Sequence, residues 1–312
     1  MDLFKKALQI LGAIAIVFTL VFAIKSNNDS KSAPSTPPSI ENAATGLKAV
    51  ITSLPIPNDL NFAGEPVPLD EQEVLERVDR EFLVNTYWQS NALLLMKRSQ
   101  KYFPVMRPIL DFYGIPEDFL YLAVAESGLE PLRSPAGAAG FWQLMKGTAK
   151  DYSLEVNNNV DERYHVEKAT EVACKYILKA KDKFGSWTLA AAAYNAGNRG
   201  ISRQLEKQQA TNYYDLLLGQ ETGRYVFRIL ALKTIMSDPI TYGFKLNELD
   251  YYTLTPTKEV TIDKPIKNLS DFALAQNISY KILKRHNPWL RQGHLNNRSR
   301  KKYQIKIPLE ID

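Results

Sequence analysis

The chain has 312 residues, of which 45% are hydrophobic and 23% charged, a composition that permits a sizeable core and argues against wholesale disorder. The net charge of +5 is spread along the sequence, which argues against nucleic-acid binding and suits an anionic polymer or a membrane surface. Cys174 is the only cysteine, so an internal disulfide is excluded, and the three histidines are scattered, so we expect no metal and no cofactor.

The first predicted element is an N-terminal membrane anchor at residues 1–24. Lys5 and Lys6 precede an apolar run of 18 residues from Ala7 to Ile24. A bilayer span needs about 17–25 residues, whereas the apolar core of a signal peptide has about 7–15. We therefore favour an uncleaved anchor, with the two lysines in the cytoplasm and the rest of the chain outside. Cleavage after Val21-Phe22-Ala23 stays open as the alternative.

Residues 25–65 are rich in Ser, Asn and Pro and are predicted to be a linker. From Asp70, which with Glu73 is typical of a helix cap, apolar residues recur at helical spacing. Residues 66–240 are therefore predicted to form a mostly α domain. The predicted helices include Tyr87–Ser99, Phe103–Tyr113, a helix that begins near Pro116, Val166–Phe184, Trp187–Asn195 with Ser186 as its cap, and Glu221–Met236. Cys174 lies on the apolar face of one of them, and we expect a buried structural thiol.

The pattern changes after Pro239, and residues 249–312 are predicted to form a small α+β module. A strand is expected within Leu249–Ile262 and another near Tyr303–Pro308, where apolar and polar residues alternate. Two short helices, Leu269–Gln276 and Ser279–His286, are expected between them. The fold class is thus a mostly α domain followed by a small α+β module.

Glu126 is the candidate for acid–base chemistry. It follows Phe119, Leu122 and Ala123 by seven, four and three residues, which puts it on the apolar face of a helix that Gly128 ends. Burial and the negative end of the helix would both raise the pKa of its carboxyl, as a general acid requires. Periodicity alone leaves open the alternative that Glu126 faces solvent or pairs with a Lys or Arg.

Two further stretches offer groups that can bind a polar, ring-shaped ligand. The first, residues 137–145, combines small residues with an aromatic pair and the amide of Gln143. The second, residues 190–197, has four alanines followed by Tyr194 and Asn195 at a helix end. Each stretch taken alone is also consistent with simple packing.

Together, in this order and spacing, the stretches resemble the lytic transglycosylases of the lysozyme-like superfamily, closest to the membrane-bound murein transglycosylase D type. The resemblance covers about residues 66–240 and differs at Lys146, where the family usually has proline, and at Phe141-Trp142, where relatives have smaller residues. The matching positions are Glu126-Ser127, Pro131, Ser134, Gly137-Ala138, Gly140, Gln143, Thr148-Ala149, Ala193-Tyr194-Asn195-Ala196-Gly197, Glu221-Thr222 and Tyr225-Val226.

The resemblance implies a lysozyme-like fold and a reaction on peptidoglycan. Glu126 would protonate the glycosidic oxygen between N-acetylmuramic acid and N-acetylglucosamine, and would then take the proton of the muramoyl C6 hydroxyl. That hydroxyl attacks C1 and gives a 1,6-anhydro product. Tyr225 would hydrogen-bond near the catalytic carboxyl. The resemblance also implies substrate-binding roles for Ser127, Gln143, Tyr194, Asn195 and Tyr225.

The sequence shows no convincing second catalytic carboxylate. Glu130 is expected on the rim of the cleft, and Asp151 and Asp161 lie in polar surroundings. Ordinary glycosidases use two carboxylates, so a single acid favours the intramolecular reaction. Two alternatives stay open: a muramidase on the same fold that lets water attack, and a non-catalytic peptidoglycan-binding scaffold.

The C-terminal module resembles a degenerate LysM domain, a glycan-binding fold. Leu269, Phe272, Asn287-Pro288-Trp289 and Ile305–Pro308 fit its helix, turn and final strand, but residues 264–268 replace the usual Gly-Asp-Thr start. Glycan binding and a purely structural appendage both stay open. With the anchor, the resemblance predicts a protein of the cell envelope, anchored in the inner membrane with its catalytic domain in the periplasm and peptidoglycan strands as its partner.

Overall fold

The computed structural model of the protein describes residues 51–310. The membrane anchor predicted for residues 1–24 and the predicted linker up to residue 50 lie outside them. In the described part of the chain, no helix combines the length and the apolar character that a bilayer crossing requires. Its α-helices are α1 (Gln72–Tyr87), α2 (Gln89–Phe112), α3 (Phe119–Ser127), α4 (Lys146–Asp151), α5 (Val166–Phe184), α6 (Trp187–Ala196), α7 (Asn198–Gln208), α8 (Gln220–Ser237), α9 (Leu269–Ala275) and α10 (Tyr280–His286).

The chain from Leu60 to Leu246 folds around one hydrophobic core, with α8 at its centre. This helix packs against α1, α3 and α6, and most of its side chains from Tyr225 to Leu232 are buried. The four alanines of α6, residues 190–193, are fully buried, so their small side chains allow close approach to the neighbouring helices α5 and α8. Cys174 on α5 is buried as predicted, and burial raises the pKa of its thiol to about 12.

Residues 87–113 differ from the prediction of two helices. They are covered by the end of α1 and by the single long helix α2, which contains Pro104 and Pro108. Both prolines are exposed, whereas Phe103, Met106 and Leu110 on the other side are buried. Burial of that face keeps the helix continuous although two backbone donors are missing.

The N-terminal edge of the helical domain also differs from the prediction. Helix α1 begins at Gln72 with Glu71 in the cap position, and no side chain caps it, so the predicted Asp70 cap is wrong. A two-stranded hairpin of β1 (Asn61–Phe62) and β2 (Glu65–Pro66) precedes the helix. Phe62 is buried in the core, so the linker predicted for residues 25–65 does not extend to residue 65.

The C-terminal module is built on an antiparallel pair, β3 (Thr257–Ile262) and β4 (Tyr303–Pro308). The register pairs Thr257 with Pro308 and Ile262 with Tyr303. Alternate β4 residues, including Ile305 and Ile307, face a second hydrophobic core with α9 and α10. Within the strand-like stretch Leu249–Ile262 only β3 is a strand, and residues 248–250 form a 3₁₀ turn.

The helical domain and the module meet along a seam around residues 155–164. Val160 and Tyr164 belong to the second core together with side chains of the module. The Asn159 side chain donates to the carbonyl of His294 at 2.7 Å and accepts from the backbone N–H of Asn296 at 2.7 Å. The backbone N–H of Asp161 donates to a module carbonyl, that of Trp289, at 2.9 Å. The two parts therefore share both apolar and polar contacts.

Candidate active site

Glu126 lies on the last turn of α3, immediately before the buried Ser127. The next residue, Gly128, has φ of 59° and closes the helix by donating its N–H to the carbonyl of Val124 at 2.8 Å. Glycine suits this left-handed position because it has no Cβ. The helix end therefore points the Glu126 side chain into the pocket between α1, α2 and α8.

The carboxyl of Glu126 has a pKa raised from 4.5 to about 7. Burial is the main cause, because the ionised form loses its hydration. A hydrogen bond from Tyr225 and the charge of Arg228 act in the opposite direction, while the charge of Glu221 adds to the rise. The resulting pKa leaves a large protonated fraction near neutral pH, as proton donation requires.

Tyr225 is buried on α8 beneath Glu126, and its hydroxyl donates a hydrogen bond to Oε1 of that carboxyl. Burial and the nearby Glu126 charge raise the pKa of Tyr225 well above its ordinary value, so the phenol stays a donor. Among the described residues, none hydrogen-bonds Oε2 of Glu126, which leaves that oxygen for a ligand.

Ser127 is turned away from solvent. Its hydroxyl donates to the carbonyl of Phe141 at 2.7 Å and contacts the carbonyl of Ala123 at 3.3 Å. Ser127 therefore ties the end of α3 to the loop of residues 132–144, which runs past it.

Gln143 holds the same loop from the other side. Its side-chain amide donates to the carbonyl of Gly140 at 2.8 Å and to that of Leu132 at 3.2 Å. Its own backbone is in the left-handed region, with φ of 44°. Such a conformation in a residue other than glycine is costly and often occurs at functional sites.

Gly140 is required where this loop crosses Arg163. A Cβ at position 140 would lie 1.8 Å from the carbonyl oxygen of Arg163, and the φ of Gly140 is +82°. The buried guanidinium of Arg163 is paired with Asp161 at 2.7 Å and donates to the carbonyls of Gly137 and Leu144. Arg163 and Asp161 thus fix the shape of the loop.

Tyr194 and Asn195 lie at the end of α6. The hydroxyl of Tyr194 donates to the carbonyl of Trp142 at 2.7 Å. Burial, and then the charge of Glu126, raise the pKa of Tyr194 well above its ordinary value. The Asn195 side chain accepts a hydrogen bond from the hydroxyl of Thr222 at 2.7 Å, which joins α6 to the start of α8.

The pocket that contains Glu126 has a volume of about 410 Å³. Its lining includes Trp88 and Leu132, which are 61% and 50% exposed, so apolar surface borders the acid. Ser127 also lines this pocket, and Tyr225 lies beneath it. The lining of this pocket does not include Gln143, Tyr194 or Asn195. Gln143 holds the adjoining loop, and Tyr194 and Asn195 hold the end of α6.

Two other carboxylates line this pocket, and arginines engage both. Glu130 lies 2.9 Å from Arg98. Glu81 is 1% exposed and lies 2.7 Å from Arg224, 3.7 Å from Arg228 and 2.5 Å from Arg80. Arg224 and Arg228 of α8 therefore border the cleft, and the buried carboxylate of Glu81 holds their guanidinium groups in place.

Glu81 and its arginines were not predicted from the sequence. Glu81 lies three residues after Val78 and next to Phe82, on the face that α1 buries, and a carboxylate within an apolar stripe is a usable signal. Arg224 and Arg228 follow at a spacing of four on one face of α8. Asp161 was expected in polar surroundings, and its ion pair with Arg163 was not predicted.

Comparison with known proteins identifies the domain that carries this site. Residues 110–217, which include Glu126, Gln143, Tyr194 and Asn195, match the family model of the transglycosylase SLT domain. This part of the chain is an SLT transglycosylase domain. Residues 258–311 match a second family model, the soluble lytic transglycosylase C-terminal LysM-like domain. Tyr225 lies outside both matched ranges, although it contacts Glu126 of the SLT domain directly.

Relatives of the SLT domain include a curated protein of Escherichia coli strain K12, the membrane-bound lytic murein transglycosylase D. The two are 33% identical over 143 residues, which is 44% of this chain and 32% of the relative. The chain thus matches about a third of that relative's length. Two solved structures are also similar: an inactive mutant of lytic transglycosylase Slt from Pseudomonas aeruginosa and the 70 kDa soluble lytic transglycosylase of Escherichia coli.

The Pseudomonas structure has a TM-score of 0.39 and 19% identity, and covers 48% of this chain and 26% of its own. The Escherichia coli structure has a TM-score of 0.38 and 21% identity, and covers 49% and 26%.

Proposed function

We propose that this protein is a lytic transglycosylase that cleaves the β-1,4 bond between N-acetylmuramic acid and N-acetylglucosamine in peptidoglycan. The observation that carries the proposal is the Glu126–Tyr225 pair in an open cleft, with the pKa of Glu126 at about 7. The SLT domain and the name of the curated relative, a lytic murein transglycosylase, support it.

In the proposed reaction, Glu126 is the single acid and base. Its protonated carboxyl gives the proton to the glycosidic oxygen as the bond from C1 to that oxygen breaks. The Glu126 carboxylate then takes the proton of the muramoyl C6 hydroxyl while the C6 oxygen bonds to C1. The carboxyl is regenerated, no water is consumed, and the product is a 1,6-anhydro sugar.

The state of the other carboxylates in the cleft supports a one-acid mechanism. Glu81 and Glu130 are each paired with arginine, so neither is a free base or nucleophile. Two-carboxylate glycosidases need a second group that activates water or attacks C1. A hydrolytic muramidase on the same fold is the alternative, in which water takes the place of the C6 hydroxyl.

We assign positioning roles around the substrate to the residues near Glu126. Tyr225 orients Glu126 and stabilises its carboxylate after proton transfer. Ser127 and Gln143 shape the loop of residues 132–144 that borders the sugar. Tyr194 and Asn195 fix the end of α6 beside the cleft, and the exposed indole of Trp88 offers an apolar face for a sugar ring.

We also propose that the protein acts in the cell envelope. The N-terminal apolar run would anchor it in the inner membrane with the SLT domain in the periplasm, where peptidoglycan is present. The curated relative is named as a membrane-bound enzyme, which supports this location. The LysM-like module would add contacts to the same glycan strands.

Mass spectrometry of digested peptidoglycan tests the reaction. We expect muropeptides with 1,6-anhydromuramic ends from the native protein and none from Glu126→Gln. If the products have reducing ends and no anhydro sugars, the protein is a hydrolytic muramidase and not a transglycosylase. If the native protein binds strands but does not cleave them, it is a non-catalytic scaffold. If Glu126→Gln cleaves as the native protein does, Glu126 is not the acid.

A further inference from the structure

A second cavity, of about 260 Å³, lies between the SLT domain and the LysM-like module. The helical domain contributes Lys101 and Tyr102 from α2, which precede the range matched by the SLT family model, and Phe141 from the loop of residues 132–144. The module contributes Arg285 from α10 and Trp289 after it. The volume is near the lower end of the range for small-molecule sites, about 300–1,000 Å³, so the cavity suits one small group and not a polymer segment.

The cavity walls are aromatic on both sides of the seam. The rings of Tyr102 and Phe141 are 4.7 Å apart on the SLT side. On the other side Trp289 stacks on Tyr303 at 5.6 Å. The walls therefore have packed, well-fixed positions, which lowers the cost of ordering a ligand.

The charges that face the cavity are unbalanced. Lys101 and Arg285 come from opposite sides, and neither forms an ion pair with another described residue. Lys306 forms an ion pair with Glu167, and Glu310 is exposed at the rim of the cavity. Burial, and then the charge of Arg285, lower the pKa of Lys101. The half-buried Lys101 thus lies beside the like charge of the exposed Arg285, an arrangement that an anion would stabilise.

The cavity adjoins the active site along α2. Arg98, one helical turn before Tyr102, lines the pocket of Glu126 and donates to the carbonyl of Gly128 at 3.1 Å. Phe141, whose ring faces the second cavity, accepts the hydrogen bond of Ser127 through its carbonyl. The two cavities therefore share α2 and the loop of residues 132–144 as walls.

We propose that this cavity binds a carboxylate of the short peptide that peptidoglycan carries on its muramoyl residues. The inference rests on the proposed function, which supplies the ligand: the sugars of peptidoglycan are uncharged, and its anionic groups are the carboxylates of those peptides. Lys101 and Arg285 pair with the carboxylate, and the aromatic walls pack against the aliphatic part of the peptide. The seam is then a specificity site for peptide-bearing strands.

Cleavage of two substrates tests the proposal: uncrosslinked strands whose peptide carboxylates are free, and the same strands after those carboxylates have been converted to amides. For the native protein we expect a KM about fivefold lower on the strands with free carboxylates, as two partly exposed ion pairs would give. Lys101→Met and Arg285→Met keep much of the apolar stem, and each should bring the ratio of the two KM values towards one. Lys281→Met, which removes an exposed cation of α10 outside the cavity, should leave the ratio unchanged.

A binding measurement separates this proposal from the proposed function. Calorimetry with N-acetylmuramoyl-L-alanyl-D-glutamate should show binding to the native protein, and the diamide of this ligand should bind more weakly. Arg285→Met should remove that difference. If the native protein cleaves both substrates with equal KM, or binds acid and diamide equally, the cavity is not a carboxylate site although the enzyme stands. If the protein cleaves neither substrate, the proposed function fails, and the peptide assignment fails with it.

Discussion

The hydroxyl of Tyr225 donates its hydrogen bond to Oε1 of Glu126, so a residue of α8 lowers the pKa of an acid on α3. The bond stabilises the carboxylate, whereas burial of Glu126 destabilises it. Because burial is the larger effect, the pKa rises to about 7. The two helices thus hold the acid between its two protonation states near neutral pH.

The first prediction concerns the pH dependence of cleavage. Glu126 must be protonated to act as the acid, so activity should fall as the pH rises through about 7. Tyr225→Phe removes the bond that lowers the pKa, so the midpoint of this fall should move to higher pH. Rates of anhydro-product formation between pH 5 and 9 would measure it. Tyr213→Phe, which loses a buried hydroxyl that does not contact Glu126, should leave the midpoint in place.

The second prediction concerns stability. Between pH 4.5 and about 7 the folded protein keeps a proton on Glu126 that the unfolded chain releases. The contribution of this group to stability therefore falls as the pH rises through that window and stays low above it. Glu126→Gln should raise the free energy of unfolding by up to about 3 kcal/mol at pH 8, and by little at pH 4. Urea unfolding at both pH values would show it, and no gain is expected from Glu130→Gln, which loses its pairing with Arg98.

The third prediction concerns Glu81. Glu81→Gln removes a buried charge that anchors Arg224 and Arg228, so we expect a loss of about 2 kcal/mol in stability and weaker substrate binding. Glu73→Gln breaks an exposed pair with Arg77 on the same helix and should cost less than about 0.5 kcal/mol. Thermal unfolding and KM measured side by side would test it. Equal effects of the two substitutions would contradict the role given to Glu81.

The fourth prediction concerns Gly140. Gly140→Ala places a Cβ against the Arg163 carbonyl, so the loop of residues 132–144 must move. We expect a loss of several kcal/mol or about a hundredfold lower kcat. Gly137→Ala is the control, because φ there is +89° but nothing lies within 4 Å of its Cβ. It should show only the backbone cost of about 1 kcal/mol. Circular dichroism and cleavage rates would measure both.

The fifth prediction concerns Trp88. If its exposed indole supports a sugar ring, Trp88→Ala should raise KM about tenfold with little change in kcat. Phe112→Ala removes an aromatic that is 83% exposed at the far end of α2, outside the pocket of Glu126. It should leave KM unchanged. A drop in kcat alone for Trp88→Ala would show that the indole does not bind substrate in the ground state.

Periodicity and capping residues correctly predicted several helix bounds. The bounds of α5 and the side-chain cap of α6 by Ser186 agree with the sequence expectation, because periodicity and caps act within a few residues. The break of α3 at Gly128 agrees for the same reason. The expectation failed between Ser99 and Phe103, where two helices were predicted and α2 runs on without a break.

Contacts distant in sequence could not be predicted in this way. The Glu81–Arg224 pair joins residues 143 positions apart, and the Asn159–His294 contact spans 135. Neither has a spacing rule, because the fold alone brings these side chains together. The resemblance named Glu126 and Tyr225 as neighbours, but the route by which Ser127, Gln143 and Arg163 fix one loop depends on backbone geometry that spacing does not encode.

The seam between the SLT domain and the LysM-like module fixes the spacing between two parts of the protein. Val160 and Tyr164 are packed into the core of the module, so the module is held against the helical domain. In the proposed function, any part of a glycan strand bound at the module then stays at a constant distance from Glu126. Successive cuts would release fragments of uniform length, whereas a module on a flexible tether would release a broad distribution.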